Sequence, residues 1–358
     1  MSFGTCDETD ALLAQRLCGA LDPAQAHALD AHLRGCARCR ELAADLAPPA
    51  APARLFPLVD DGVYELGAVL GYGGMGRIRI AHDRRIGRTV AIKELLFHTD
   101  VLAARFVREA RVAASLQHPN ILPVYDVGSW ADGTPFYTMR LVQGRSVHEA
   151  LRVPDSLRAR MALVPALVAA ADAVAFAHAS GILHRDLTPA NILLGGFGET
   201  LVIDWGLAKD LRCDRPRVAP EFQTGLTQEL LTARGDVLGS PAYMPREQAA
   251  AEPTDARADV YALGAILYHV IAGRPPYVGR TPESVLAKVR TEAPVAIDEL
   301  APRAPRALLA IVKTAMARDV AERYATAREL AGALRAFTAD ALVDAQRGAL
   351  GRLLARCA

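Results

Sequence analysis

The sequence predicts an α+β body, a small sheet-rich lobe followed by a larger helical lobe, with a separate helical module in front of it. Three observations carry this. Short β-like segments crowd the first part of the body (64–70, 77–81, 89–95, 121–127 and 136–141). Helical patterns then take over, at 158–180, 258–273 and 305–317. An Ala/Pro tract beginning at Ala47 cuts the first 46 residues from the rest. Strands first and helices later suit a segregated α+β fold, and a Pro-rich tract acts as a stiff, extended spacer. The expected organisation is a helical module at 1–46, a linker at 47–63, a body at 64–337 whose lobes meet near 142, and a tail at 338–358.

The 358 residues are 51% hydrophobic and 23% charged, enough apolar material for a packed core and too much for a disordered chain. A net charge of +1 gives no electrostatic case for nucleic acid as the main partner. Four of the six cysteines (Cys6, Cys18, Cys36, Cys39) fall in the first 39 residues, while Cys213 and Cys357 stand alone. That clustering reads as metal or redox chemistry in a reducing compartment rather than a disulfide scaffold. The start of the chain lacks the pattern of a secretory signal. The apolar run 161–179 contains Pro165, Asp172 and His178, which makes it a core helix rather than a membrane span. A cytoplasmic protein without a membrane segment is the expectation.

In the module, Leu12, Leu13, Leu17 and Leu21, then Ala28, Leu29 and Leu33, recur at helical spacing. At the head of the body, Gly71, Gly73 and Gly76 form G-x-G-x-x-G between two β-like runs. Such glycines let backbone N–H groups approach phosphate oxygens, although a hairpin turn would also explain them taken alone. A dinucleotide fingerprint requires a helix straight after Gly76, but residues 77–81 alternate like a strand. Lysine occurs only at 93, 209, 288 and 313, and Lys93 ends the Val/Ile strand Val90-Ala91-Ile92. A lysine buried there needs a carboxylate partner. Glu109, in the helix-like stretch 101–117, is available, and the pair would grip nucleotide phosphates.

The segment 182–194 carries His184, Arg185, Asp186 and, five residues on, Asn191, followed by an apolar strand. Phosphoryl transfer needs a carboxylate at the acceptor hydroxyl and a neutral oxygen ligand for a metal, and Asp186 and Asn191 fit those needs. Asp204 lies at a later strand end before Trp205-Gly206, placed to reach Mg²⁺.

Taken in order, Gly71/Gly73/Gly76, Lys93, Glu109, His118-Pro119-Asn120, Met139–Val142, His184-Arg185-Asp186, Asn191 and Asp204-Trp205-Gly206 resemble the eukaryotic-like bacterial Ser/Thr protein kinases over about 64–337. Downstream, Gly239–Met244 resembles the substrate-docking loop and Asp259–Gly264 the central helix of the large lobe. Arg323 resembles the arginine that pairs with the glutamate closing the activation segment, here Glu247. The resemblance implies a bilobal kinase fold using ATP and Mg²⁺ on protein substrates with Ser/Thr hydroxyls. It implies Asp186 as the base, Asn191 and Asp204 on Mg²⁺, and Lys93 with Glu109 on the phosphates. The loop of Gly71, Tyr72, Gly73, Gly74, Met75, Gly76 and Arg77 would cover the phosphates. Leu70, Ile78 and Ala91 would sandwich adenine, with backbone groups near Leu141 and Val142 reading its edge.

It further implies a phosphate on the activation segment bound by Arg185, with Thr232 first and Thr227 second among the acceptors; Ser240 would instead bond near Asp186. Three departures stand out: Thr188 where the family carries lysine, Pro245-Arg246-Glu247 for Ala-Pro-Glu, and Trp205 for Phe. The alternative is a catalytically impaired pseudokinase acting as a signalling scaffold.

His32, Cys36 and Cys39 form H-x₃-C-x₂-C. On a helix, His32 and Cys36 share a face, and C-x₂-C turns a second thiolate to the same point. Tetrahedral zinc requires a fourth ligand, with Cys6 the candidate and Cys18 its competitor. The set Cys6, His32, Cys36 and Cys39 resembles the zinc-binding anti-sigma factor module. That resemblance implies Zn²⁺, structural or redox-sensitive, and a docking surface for a sigma factor or another regulator. A metal-free helical pair with incidental cysteines is the competing reading.

Overall fold

The computed structural model describes residues 25, 29, 32–36, 39, 56–73, 76–96, 100–152, 156–211 and 241–340. The chain divides into two compact units, Met1–Pro57 and Leu58–Ala358. In the first unit the described residues 25, 29, 32–35 and 39 are helical, and Leu29 is fully buried.

The second unit opens with a five-stranded antiparallel sheet made of β1 (Tyr64–Tyr72), β2 (Gly76–Asp83), β3 (Arg88–Leu95), β4 (Val124–Ser129) and β5 (Pro135–Arg140), in the order β1-β2-β3-β5-β4. Alternation sorts its residues by face. The register pairs Ile78 with Lys93, Ile80 with Ala91, Ala91 with Met139 and Lys93 with Tyr137, so these six share one face. The other face carries Ala81, Val90, Ile92, Phe136 and Tyr64, a small core closed by Val59, Val63 and Trp130. Helix α1 (Asp100–Ser115) buries Phe106, Val107, Glu109 and Ala110, and Phe106 packs 5.2 Å from the Tyr137 ring.

The sequence expects a strand from 121, but β4 starts at Val124. Pro123 has no N–H to give a ladder, and Ile121 instead forms an isolated parallel bridge with Val202.

The larger lobe begins with β6 (Gly144–Ser146) and α2 (Val147–Leu151), whose Ser146 and Glu149 close a reciprocal cap. The helical pattern expected at 158–180 is two helices, α3 (Leu157–Met161) and α4 (Val164–Ala179). Pro165 lies in the first turn of α4, where its missing N–H costs nothing, but it cannot continue α3. Residues Leu157–Ala179 are long and apolar enough to cross a membrane by composition alone. Val164, Leu167, Ala170, Ala171 and Val174 nevertheless lie inside the protein core.

Beneath the cleft run β7 (Ile182–Leu183), β8 (Ile192–Gly195), β9 (Thr200–Val202) and β10 (Lys209–Asp210), with sheet orders β6-β8-β9 and β7-β10. Then come α5 (Arg246–Ala249), α6 (Arg257–Ala272), α7 (Pro282–Thr291), α8 (Ile297–Leu300), α9 (Arg306–Ala315) and a last helix, α10, described over 327–340. Helix α6 is buried on nearly every side, which its almost continuous apolar sequence demands. Gly264 lets it approach α9 closely: a Cβ there would stand 2.7 Å from that of Ala315. The fold is the bilobal α+β architecture expected from the sequence, a sheet lobe with one helix above a helical lobe.

Candidate active site

On the cleft side of the sheet, the Lys93 ammonium meets Glu109 Oε1 at 2.5 Å, and the Tyr137 hydroxyl donates to the same oxygen at 2.6 Å. Burial works against a charged Lys93, but the Glu109 carboxylate, helped by Tyr137 and Asp204, outweighs it and holds the ammonium charged well above its usual range. Ala91 is buried two residues before Lys93 on the same face.

Gly71, Gly73 and Gly76 are not among the described glycines that adopt positive φ, and space around them is what sets them apart. A Cβ on Gly76 would stand 2.0 Å from the Glu94 carbonyl oxygen, whereas among the described residues one on Gly71 meets nothing within 4 Å and one on Gly73 only the Gly76 carbonyl at 3.9 Å. The fold itself demands glycine at 76. At 71 and 73 it leaves room beside the backbone among the described residues, with the Gly73 N–H itself turned back onto the Gly76 carbonyl at 2.7 Å. Gly74 and Met75 lie outside the described residues. Leu70 and Tyr72 are exposed, and the Arg77 side chain lies on the face away from Lys93, bonded to Glu94. Arg77 therefore meets the loop through its backbone.

Below the cleft, residues 184–191 link β7 to a short 3₁₀ turn (Pro189–Asn191) that leads into β8. The buried Asp259, in the first turn of α6, organises this loop. Its Oδ2 accepts from the His184 backbone N–H and from His178 Nε2, and its Oδ1 accepts from the Arg185 N–H, each at 2.8 Å. Burial alone would raise the Asp259 carboxyl, but the His178 hydrogen bond and these neighbours hold it below the usual range. Burial also depresses His184, keeping the ring neutral. Nε2–H then donates to Ile203 O at 3.1 Å, leaving Nδ1 to accept the Asp186 N–H at 3.3 Å.

Asn191 donates through Nδ2 to the Asp186 carbonyl at 2.8 Å and takes the Ile203 N–H on its own carbonyl at 3.0 Å. Asn191 Oδ1 is thereby an oxygen that could hold a cation, and the loop that carries Asp186 is tied to the strand end that carries Asp204. Arg185 (φ 68°) and Asp204 (φ 64°) both sit in the left-handed region, a strained conformation that collects at functional sites. Trp205 packs its buried ring 4.6 Å from His184.

Residues 64–332 match the family model for the protein kinase domain. The chain belongs to the protein kinase family. The chain is 37% identical to a probable serine/threonine-protein kinase of Corynebacterium efficiens over 296 residues, covering 79% of this chain and 42% of that protein. It is 37% identical to a probable serine/threonine-protein kinase of Streptomyces coelicolor over 275 residues (75% and 39%). With serine/threonine-protein kinase PknB of Mycobacterium leprae the identity is 36% over 273 residues (75% and 42%). The chain spans about two fifths of the length of these relatives. Family membership implies ATP and Mg²⁺ in general terms.

Farther along the kinase domain, Arg323 meets Glu247 in a buried bidentate pair, Nη1–Oε1 2.6 Å and Nη2–Oε2 3.1 Å, with the guanidinium 4.9 Å over the Tyr261 ring. Replacing Ala-Pro by Pro245-Arg246 leaves this pair intact; Pro245 caps α5 with extended backbone. Thr188 is buried beside Pro189. Thr227, Thr232 and Ser240 lie outside the described residues. Sequence reasoning missed Tyr137 and the role of Asp259. Only the second left a signal, an acid at the head of an otherwise apolar helix.

In the first unit, residues 6–40 match the family described as "Putative zinc-finger". The Cys36 N–H donates to His32 O at 2.9 Å, one helical turn back, so the two share a face. The ligand atoms of His32, Cys36 and Cys39 lie within 4.8 Å of one another. Among the described residues, His32 Nε2 is a buried nitrogen with no hydrogen-bond partner. A buried ring nitrogen left unpaired beside two sulfurs suits a borderline-soft cation such as Zn²⁺. Cys6 and Cys18 lie outside the described residues.

Proposed function

We propose that this chain is a protein kinase that transfers the γ-phosphoryl group of ATP to Ser/Thr hydroxyls on proteins. The closed Lys93–Glu109 pair, 2.5 Å long on the cleft face of the sheet, carries the reading. Lys93, kept charged, holds the α/β-phosphates. The backbone of the 71–76 loop covers them, where open space lies over Gly71 and Gly73. Leu70, Ile78 and Ala91 flank adenine, with Leu141 and Val142 at its edge. Asp204 and Asn191 Oδ1 would hold Mg²⁺, which when bound neutralises phosphate charge. The acceptor oxygen attacks the γ-phosphorus, its proton passes to the Asp186 carboxylate, and ADP leaves. Thr188 keeps a hydroxyl near this point without lysine's charge. No feature of the site favours the scaffold alternative, since every expected acid, base and amide is present. Incubation with labelled ATP and Mg²⁺ tests the reading: label should enter protein Ser/Thr with wild type and fail to enter with Asp186→Asn, and equal incorporation by both sinks the assignment of Asp186.

The same reading extends to control. Phosphorylation of Thr232, or next Thr227, would supply about two negative charges for Arg185 and order the activation segment. Phosphopeptide mapping that finds phosphate only outside 204–247 counts against it.

For the first unit the reading is Zn²⁺ held by His32, Cys36 and Cys39 with Cys6 as fourth ligand. It would stabilise a module too small for a sufficient core and present a docking surface for a regulator such as a sigma factor. Thiolate ligands of this kind need a reducing compartment, which favours the cytoplasm. Metal analysis of the reduced full chain should give one zinc, lost in Cys36→Ser and Cys6→Ser. No zinc in wild type sinks the site, and zinc that survives peroxide excludes the redox form of it.

A further inference from the structure

Glu94 follows the phosphate lysine directly, and its side chain is 3% exposed on the opposite face of β3. A carboxylate buried so deeply needs donors. It has two: Arg77 Nε donates to Oε2 at 2.6 Å, and the Trp130 indole N–H donates to Oε1 at 2.8 Å. Its backbone makes a third contact, because the Glu94 carbonyl oxygen occupies the space a side chain on Gly76 would need. Arg77 is the first residue after Gly76, and Gly76 in turn accepts the Gly73 N–H at 2.7 Å. Trp130 is itself fixed, stacked 4.0 Å from Phe136 in the outer core of the sheet. The exit of the glycine loop is thus pinned from beneath by one residue through both its backbone and its carboxylate.

We propose that Glu94 is a positioning residue for the nucleotide, setting the height of the glycine loop over the cleft through Arg77 and Trp130. The proposal rests on the nucleotide reading of that loop. Glu94 touches no reacting atom: its face of the strand points away from Lys93. Its effect must therefore pass through the loop and be read in nucleotide affinity more than in turnover.

The test measures the Kd of a fluorescent ADP analogue with Mg²⁺, alongside the KM for ATP and kcat, on the full chain. The variants are Glu94→Gln, Arg77→Met, their double and Trp130→Phe. The two single changes of the ion pair should each weaken nucleotide binding about fivefold, as expected for loss of one charge-assisted bond. The double should bind no more weakly than the worse single, because both remove the same link. KM for ATP should rise with Kd while kcat changes less, a split that mere loosening of the fold would not produce. Trp130→Phe keeps an aromatic ring against Phe136 while removing the indole donor and part of the ring, so it carries the test if Glu94→Gln fails to fold; it should weaken binding in the same direction. Folded variants with wild-type Kd, or a double whose effect is the product of the singles, overturn the proposal. Wild type that binds no nucleotide overturns the kinase reading itself.

Discussion

Two buried carboxylates organise the two lobes, and they are held in opposite ways. Glu109, on α1, is bound by side chains: the Lys93 ammonium and the Tyr137 hydroxyl, both from the sheet. Asp259, at the head of α6, is bound by the backbone N–H groups of His184 and Arg185 and by one imidazole. Opening the first pair leaves both backbones as they were. Opening the second releases the loop that carries Asp186. On the proposed reading the grip on the nucleotide would be an adjustable side-chain contact, and the base would be built into the fold of the helical lobe.

The sharpest way to break this comparison is at the base. Asp186→Asn keeps the size of the side chain and the backbone bonds of residue 186, so it should stay folded with a thermal stability near that of wild type. Phosphoryl transfer should fall by about 10³-fold, the upper middle of what a positioned general base supplies. Stability by calorimetry and transfer of labelled phosphate check both halves; a clear loss of stability would mean the carboxylate is structural.

Next come the two carboxylates themselves. Asp259→Ala leaves two buried backbone donors and an imidazole without an acceptor and should cost about 3–5 kcal/mol, as removal of a buried charged partner does. Glu109→Gln should cost less than half of that, because Lys93 also feels the negative charge of Asp204. Urea unfolding of the two variants decides; equal losses would erase the distinction between the lobes.

The lobes should also part in their response to pH. His269 in α6 accepts from the Tyr243 hydroxyl at 2.7 Å through Nδ1. Burial, with His148 and Arg160 nearby, lowers it to about 4. The unfolded histidine titrates near 6.5, so the unfolded state takes up the proton first. The stability it contributes is full above about 6.5 and is lost as pH falls toward 4, by up to about 3 kcal/mol. Lys93 has the opposite sign: its folded pKa is raised, so its contribution is full below the unfolded lysine value of about 10.4 and is lost as pH rises through the folded one. Thermal unfolding should therefore weaken in mild acid through the helical lobe, and His269→Gln, which still offers an acceptor, should flatten that slope. An unchanged slope would remove His269 as its cause.

Much of this site could be read before any coordinates. Phosphoryl chemistry needs particular side chains at fixed spacings, and Lys93, Asp186, Asn191 and Asp204 meet those spacings in a chain with few lysines to confuse the choice. The alternation of residues 77–81 likewise marked β2 as a strand. Pairings across distant elements left no such mark. Tyr137 reads as one more strand aromatic, and nothing in the pattern says that its hydroxyl meets Glu109. Glu94 and Arg77 look like solvated charges on a sheet, because burial by Trp130 is a tertiary fact. The breaks at Pro123 and before Val164 were legible in principle. Hydrophobic periodicity ran across both prolines and overrode the missing N–H.

The smallest expected effect tests what the glycines are for. Gly73 and Gly76 belong to one motif, yet only Gly76 is pressed against the protein, with Glu94 O at 2.0 Å from a built Cβ. Gly76→Ala must move β3 or the loop and should destabilise. Gly73 is not among the described glycines with positive φ, and among the described residues a Cβ there meets only the Gly76 carbonyl at 3.9 Å, so Gly73→Ala removes freedom from the unfolded chain without a clash there. It should leave stability unchanged or raise it by about 0.4–1 kcal/mol. If the space over Gly73 is where phosphate oxygens approach the backbone, the same methyl should weaken ATP binding by about fivefold, roughly 1 kcal/mol. A stabilised Gly73→Ala with wild-type ATP affinity would show that the open space is only surface, and would move the phosphate contact to another part of the loop.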